Sequence, residues 1–348
     1  MTRLWIALLL AVVGMQGLAQ ASPEAGIRSL PAPLAGVGRT IELWFPAGAG
    51  GVPELVGASP VFQGVPARRG AELPDDRLPL ILLAHGGLRA SPHGGDWLAA
   101  ALARRGHLVL VIPPPAHAEA DAAIAVREVW QRPAALVAAL SALEAEPGMA
   151  GRIDRDQVAA VGFFLGGTAA LALAGVEPDP ERFRLSCTRH PASPDCRWLA
   201  RQGVELDALD LAGIAGNHRD ARIRAVVAVN PELADSLAEA SLATLAVPAA
   251  ILSLGEAETL PPWLDPAPLA DAGPGLRPRI IPDAGPFSAF PECTEAAPAL
   301  LAEEGEDDAL CREPHGRSRA AAHQQITAAI AAALARSFAA QPAAGPVQ

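Results

Sequence analysis

The chain has 348 residues, a formal charge of −11, 51% hydrophobic and only 19% charged residues. That is enough apolar sequence for a sizeable core in one large α/β domain or two smaller ones, and it argues against a disordered chain. Lys is absent and no basic stripe is present, which excludes nucleic acid as an expected partner; the acidic excess reads as a solubility charge.

At the N-terminus, Arg3 precedes an apolar run over residues 4–15, and Ala19-Gln20-Ala21 has the small-x-small form of a signal-peptidase site. The run falls short of the roughly 20 residues that span a bilayer. Residues 1–21 are therefore expected to be a signal peptide, leaving a periplasmic or secreted protein with no stable membrane span. A Pro/Gly-rich stretch follows, and then the alternation of TIELWFPA predicts an opening strand. SPVFQG is a possible strand within a loop-rich stretch. LPLILLAHGG is a continuous apolar run, the pattern of a strand buried on both faces. GDWLAAALARRGH predicts a helix and HLVLVIPPP a buried strand that three prolines halt.

Residues 122–145 read as helical, with Pro133 marking an interruption or restart. DRDQVAAVGF predicts another strand, with a helix from Gly166 onward. Residues 176–220 break the alternation and read as a cap-like insertion with a helix over 198–211. ARIRAVVAVNP, VPAAILSLGE and LRPRIIPDAG supply three more strands, a helix covers 317–338, and 339–348 form a flexible tail. Strands alternating with helices predict an α/β fold, a mostly parallel sheet covered on both faces. This domain would span residues 22–338.

The four cysteines allow three pairings. Cys187 and Cys196 bracket a short polar loop, and Cys293 and Cys311 a longer acidic one, so these two disulfides are expected. Neither pair has C-x2-C spacing and no His cluster accompanies them, so no metal is expected. EEGEDD at 303–308 lacks the spaced ligands of a calcium loop and reads as a solvated acidic segment. Nothing in the chain indicates a cofactor.

AAVGFFLGGTAALALAG, residues 159–175, carries Gly162 and Gly166 in the spacing of the nucleophile elbow G-x-S-x-G, a strand running into a helix. The middle position is Phe164. With LWFP, LILLAHGG, GHLVLVIPPP, RIRAVVAVNP, VPAAILSLGEAETLPP and IPDAGPFSAFPEC following the same order, the chain resembles α/β-hydrolases of the dienelactone hydrolase and platelet-activating-factor acetylhydrolase-like group over about residues 38–338. The resemblance implies a carboxylic ester hydrolase ancestry and an α/β-hydrolase fold. It places the nucleophilic serine on Phe164 and the general base, in Ala284-Gly285-Pro286-Phe287-Ser288, on Pro286. The acid falls on Glu258, or on Asn230 where relatives carry it one strand earlier. The oxyanion-hole amides fall on Gly87 and Leu165, and His85 is a structural part of the oxyanion loop.

A serine hydrolase needs a hydroxyl, a base that takes its proton and an acid that orients the base. Phenylalanine and proline supply neither of the first two. The expectation is an exported, catalytically impaired relative of esterases that binds a small ester or carboxylic acid. Phe164 is expected in a strained elbow conformation, and Phe164 and Phe287 are expected to fill the vacated cleft. Two alternatives remain open from the residues: an esterase working through Ser288 or His85 with Glu258, and a scaffold whose 176–220 segment forms an interface. His323 reads as a packed or surface histidine.

Overall fold

The computed structural model describes residues 23–34, 37–114, 122–245, 247–304 and 308–340. The expected signal peptide, most of the expected tail and half of the acidic loop lie outside the described residues. Among the described residues ten strands form one sheet: β1 (Ala25–Leu34), β2 (Val37–Pro46), β3 (Gly50–Val56), β4 (Val65–Ala71), β5 (Leu78–Ala84), β6 (Leu108–Val111), β7 (Ile153–Phe163), β8 (Ala225–Val229), β9 (Ala249–Leu254) and β10 (Arg279–Ile281). Their order across the sheet is β10-β9-β8-β7-β5-β6-β2-β1-β4-β3. Strands β5 to β10 run parallel, while β2 pairs antiparallel with both β6 and β1.

The helices are α1 (Asp96–Ala103), α2 (Ala122–Ala125), α3 (Glu128–Ala145), α4 (Leu165–Leu173), α5 (Pro180–Arg184), α6 (Ser186–Arg189), α7 (Pro194–Arg201), α8 (Glu239–Leu242), α9 (Ala267–Ala272), α10 (Ala297–Glu303) and α11 (Arg319–Ala339). Side chains alternate across a strand, so the unbroken apolar run of β5 must feed two cores. Leu80 and Leu82 join Leu136, Leu140 and Leu143 of α3 on one face. Ile81 and Leu83 join Leu98 of α1 and Ile326, Ile330 and Leu334 of α11 on the other. A third, smaller cluster ties the 176–220 segment to the body: Phe183, Leu199 and Ile214 pack with Leu88, Val129 and Leu165. The segment therefore lies over the ends of β5 and β7, where the loops carrying the motif residues emerge.

Several expectations are corrected. The Pro/Gly-rich stretch forms β1, which tolerates Pro31 and Pro33 because it pairs with β4 only at Gly26 and Ile27. The hairpin β3–β4 was not anticipated, and SPVFQG is no strand; Phe62 makes only an isolated bridge to Cys293. The helical break falls before Glu128, and Pro133 is buried inside α3, whose packing on the sheet offsets one lost hydrogen bond. The helix expected over 198–211 ends at Arg201, where Gly203 (φ 68°) reverses the chain and the Val204 amide bonds the Leu199 carbonyl. The loop between Cys293 and Cys311 contains α10.

Both expected disulfides form, Cys187–Cys196 between α6 and α7 and Cys293–Cys311 around α10. Each constrains the unfolded chain, more so for the longer loop. Replacing Cys293 and Cys311 together by Ser should lower stability by about 3 kcal/mol, read as a reduced urea midpoint with an unchanged fold by circular dichroism.

Candidate functional site

β7 runs directly into Phe164, whose φ of 57° and ψ of −126° are a conformation L-residues rarely take, and α4 begins one residue later. Holding it costs of order 1–3 kcal/mol. Two missing side chains allow the turn. A Cβ at Gly162 would sit 2.0 Å from the Gly166 carbonyl oxygen, and one at Gly166 would sit 2.4 Å from the Ala84 oxygen. The Phe164 amide donates to the Val229 carbonyl (3.1 Å), and the Phe164 carbonyl accepts from the Gly167 (2.9 Å) and Thr168 (3.1 Å) amides.

The Phe164 ring is buried, edge-on to His85 at 5.9 Å and beside Phe290 at 5.8 Å. Phe287, expected to fill the cleft with it, is 41% exposed. Phe290 takes that place, because the chain after β10 curls into a short 3-10 turn, Pro286–Ala289, that throws Phe287 outward.

That turn is held from beneath. The Ala289 carbonyl accepts from His85 Nε2 (2.8 Å) and from Trp97 Nε1 (2.9 Å). His323 stacks on Trp97 at 3.7 Å and donates from Nε2 to the Phe290 carbonyl (2.9 Å). A carbonyl only accepts, so both imidazoles carry their proton on Nε2. Burial drives His85 down to about 4 and His323 down to about 3. Both rings are neutral struts of this loop.

Pro286, at the base position, opens the turn and presents no titratable group. Ser288 is buried in it; its hydroxyl accepts from the Gly285 amide (2.9 Å) and donates to Glu313 (2.5 Å), which pairs with Arg319. Glu258 lies exposed in the turn after β9. Asn230, at the end of β8, is buried and accepts from the Leu254 amide (2.7 Å), while its Nδ2 has no partner among the described residues.

Beside the elbow, a cavity of about 60 Å³ opens between the 176–220 segment and the sheet edge. Phe164, Pro286 and Glu258 do not line it; Leu165 and the Cys187–Cys196 disulfide do. Leu88, Phe183, Leu199 and Trp263 add apolar wall, and Asp195 and Glu232 bring carboxyl groups to it. The Leu88 amide donates to Asp195 Oδ2 (3.0 Å), and that same oxygen lies 2.8 Å from where a Cβ on Gly87 would stand. The Leu165 amide faces the Glu232 carboxylate and favours its ionised form, in a contact looser than a full hydrogen bond. The Leu165 and Leu88 amides thus look onto carboxyl groups of the chain itself.

Arg132 fixes the turn after β5 from α3. Its guanidinium donates to the Gly86 (2.5 Å) and Gly87 (2.9 Å) carbonyls and to Glu128 (3.3 Å). Burial, opposed by the Leu88 amide, raises Asp195 above the usual carboxylate range. Burial first, and then the charge of Asp195, pushes Glu232 up to about 8, against the pull of Arg132 and the Leu165 amide. Sequence reasoning missed all three residues. Asp195 was visible only as one acid in the Cys187–Cys196 loop, and Glu232 only as the second residue past Asn230.

No family model matches the chain, and no curated protein matches it by sequence. Among solved structures, the ferulic acid esterase from Streptomyces cinnamoneus matches with a TM-score of 0.54 and 16% identity, over 94% of this chain and 93% of that one. The chain shares the α/β architecture of that esterase. Likeness at this identity speaks for architecture, and what the fold does here rests on its own residues.

Gly162→Ala should prevent folding or cost several kcal/mol, because the clashing atoms are backbone of α4 and cannot swing aside; denaturant unfolding and soluble yield measure it. Stability should also peak near pH 6.5. Below it, the unfolded chain protonates histidines that the native state keeps neutral down to about 4 for His85 and about 3 for His323, so stability falls with acid. Above it, the native state retains the Glu232 proton up to about 8 while the unfolded carboxyl is already ionised, so stability falls with base, by at most about 1.4 kcal/mol per pH unit. Thermal melts from pH 4 to 9 read both limbs, and Glu232→Gln should flatten only the upper one.

Proposed function

We propose that the protein is an exported α/β-hydrolase-fold relative of the dienelactone hydrolase and acetylhydrolase-like esterases that binds a small molecule and no longer cleaves esters. The fold part of this reading is supported by the parallel strands β5 to β10, by β2 pairing antiparallel to β6, and by the turn at Phe164 between β7 and α4. Export is supported by two disulfides, which persist in oxidising compartments. Among the described residues no helix is long and apolar enough to cross a membrane.

The observation that carries the loss of chemistry is the occupation of the old reaction centre. The nucleophile position holds a buried phenyl ring packed on His85 and Phe290. Of the two amides expected to stabilise an oxyanion, that of Leu165 looks onto Glu232, and beside Gly87 the Leu88 amide is bonded to Asp195. An oxyanion arriving there would meet carboxyl groups of the chain itself where catalysis needs free donors. His85 is committed to the Ala289 carbonyl and Ser288 to Glu313, so neither is free to build a substitute pair.

A fluorophosphonate probe should label no serine stoichiometrically, and nitrophenyl acetate or butyrate should be hydrolysed no faster than by a denatured control. Phe164→Ser should restore nothing measurable. Phe164→Ser with Pro286→His should also remain weak until Glu232→Gln removes the carboxylate facing the Leu165 amide. Stoichiometric labelling of the native chain, or turnover lost in Ser288→Ala, would show an active enzyme instead.

A further inference from the structure

The polar wall of the cleft beside the elbow carries the Asp195 and Glu232 carboxyls, the Ser186 and Ser193 hydroxyls and the paired His190 and Asp235. Ser186 is 4% exposed, lines the cavity, and its hydroxyl makes no hydrogen bond among the described residues. This hydroxyl borders the cavity, where a ligand could reach it. A carbonyl or carboxylate ligand would need donors here, yet the Leu88 amide is bonded to Asp195 and the Leu165 amide faces Glu232.

The charged groups around the pair leave it without a bonded cation. From α3, Arg132 spends its guanidinium on the Gly86 and Gly87 carbonyls and on Glu128. From the turn after β5, Arg89 acts on Asp195 only at a distance and lies over Trp198. From α6 and the turn that follows it, Arg189 and His190 both bond Asp235, at 2.8 and 2.9 Å. Two neighbouring carboxyls in a mostly apolar cleft, with no cation in contact among the described residues, are half of an ion pair.

We propose that this cleft binds a small organic ammonium, whose N–H groups are taken by Asp195, Glu232 and Ser186 and whose carbon chain lies against the apolar wall. This rests on the reading of the protein as a binder, and it names the ligand class. A cavity of about 60 Å³ takes an ammonium head and a short alkyl chain. The aromatic walls suit a cation as well as its carbon chain. The ammonium must displace the proton that the pair holds when empty: the Glu232 carboxyl and R–NH3+ become a carboxylate–ammonium pair plus one proton released to solvent. Binding should therefore tighten as pH rises toward about 8, where the Glu232 carboxyl ionises unaided.

The experiment is isothermal titration of the full-length mature protein with n-propylammonium at pH 6, 7 and 8, with propionate and 1-propanol as isosteric controls. Buffers of different ionisation heat count the protons released. Propylammonium should bind, by up to about tenfold more tightly per pH unit below 8, with up to one proton released. Propionate and propanol should bind at least tenfold more weakly. Glu232→Gln should cost at least tenfold in affinity and abolish the proton release while melting no lower than the native protein; Asp195→Asn gives a second, independent loss. Equal binding of the controls, absence of proton release, an unchanged Glu232→Gln affinity, or no binding by propylammonium overturns the ammonium site. Propionate bound without ester turnover would overturn the ammonium and leave the binding reading intact, whereas ester turnover would overturn that reading itself.

Discussion

At Gly162 and Gly166 the backbones of β7 and α4 approach so closely that a single added methyl carbon would lie 2.0 Å from a carbonyl oxygen. Much of the site's geometry follows from that approach. It forces Phe164 into positive φ and starts α4 at once, so that the Leu165 amide, unbonded within the helix, points out of the sheet edge. The Phe164 carbonyl also accepts from the Glu232 amide (3.3 Å), and the Thr168 hydroxyl bonds the Glu232 carbonyl. The elbow thereby fixes where Glu232 stands. A turn of the kind that elsewhere displays a nucleophile here positions an acid.

Electrostatics then separates this site from one built for acyl transfer. Oxyanion stabilisation works through donors aimed at empty space where negative charge will develop. In this protein the Leu88 amide already holds Asp195, and Arg132 secures the same turn through the Gly86 and Gly87 carbonyls. The donors of these turns are answered from within the chain. The Cys187–Cys196 disulfide matters here, because it fixes the start of α7 and with it the neighbouring Asp195. On the far side of Phe164 the neutral histidines, His85 and His323, brace the loop that would carry a base. Their depressed basicity follows from burial, which is also what suits them to a structural task.

The strands of the parallel sheet were legible because a strand buried on both faces writes itself as a solid apolar run; β5, β7, β8 and β9 all stand where such runs predicted them. β1 was not, since its prolines and glycine read as loop and only its pairing with β2 along its whole length makes it a strand. The motif positions were legible as positions: Phe164, Gly87, Asn230, Glu258 and Pro286 all follow the C-terminal ends of parallel strands, where α/β sheets gather their sites. What each side chain does there was not. Phe287 and Phe290 differ by three residues, and the direction of one short turn decides which of them packs on Phe164.

By itself the sequence determined the alternation of strand and helix, the glycine spacing that permits an elbow, and the lack of a hydroxyl at position 164 and of an imidazole at position 286. These are local matters, set by side-chain periodicity, by the volume of one Cβ and by functional groups that are either present or absent. Only the tertiary structure decided that Asp195, from a disulfide-closed loop, and Glu232, from the end of β8, line one cleft beside Leu165. They lie 37 positions apart in the chain. Their raised proton affinity comes from burial and from each other's charge, properties that exist only once the 176–220 segment has folded over the sheet edge.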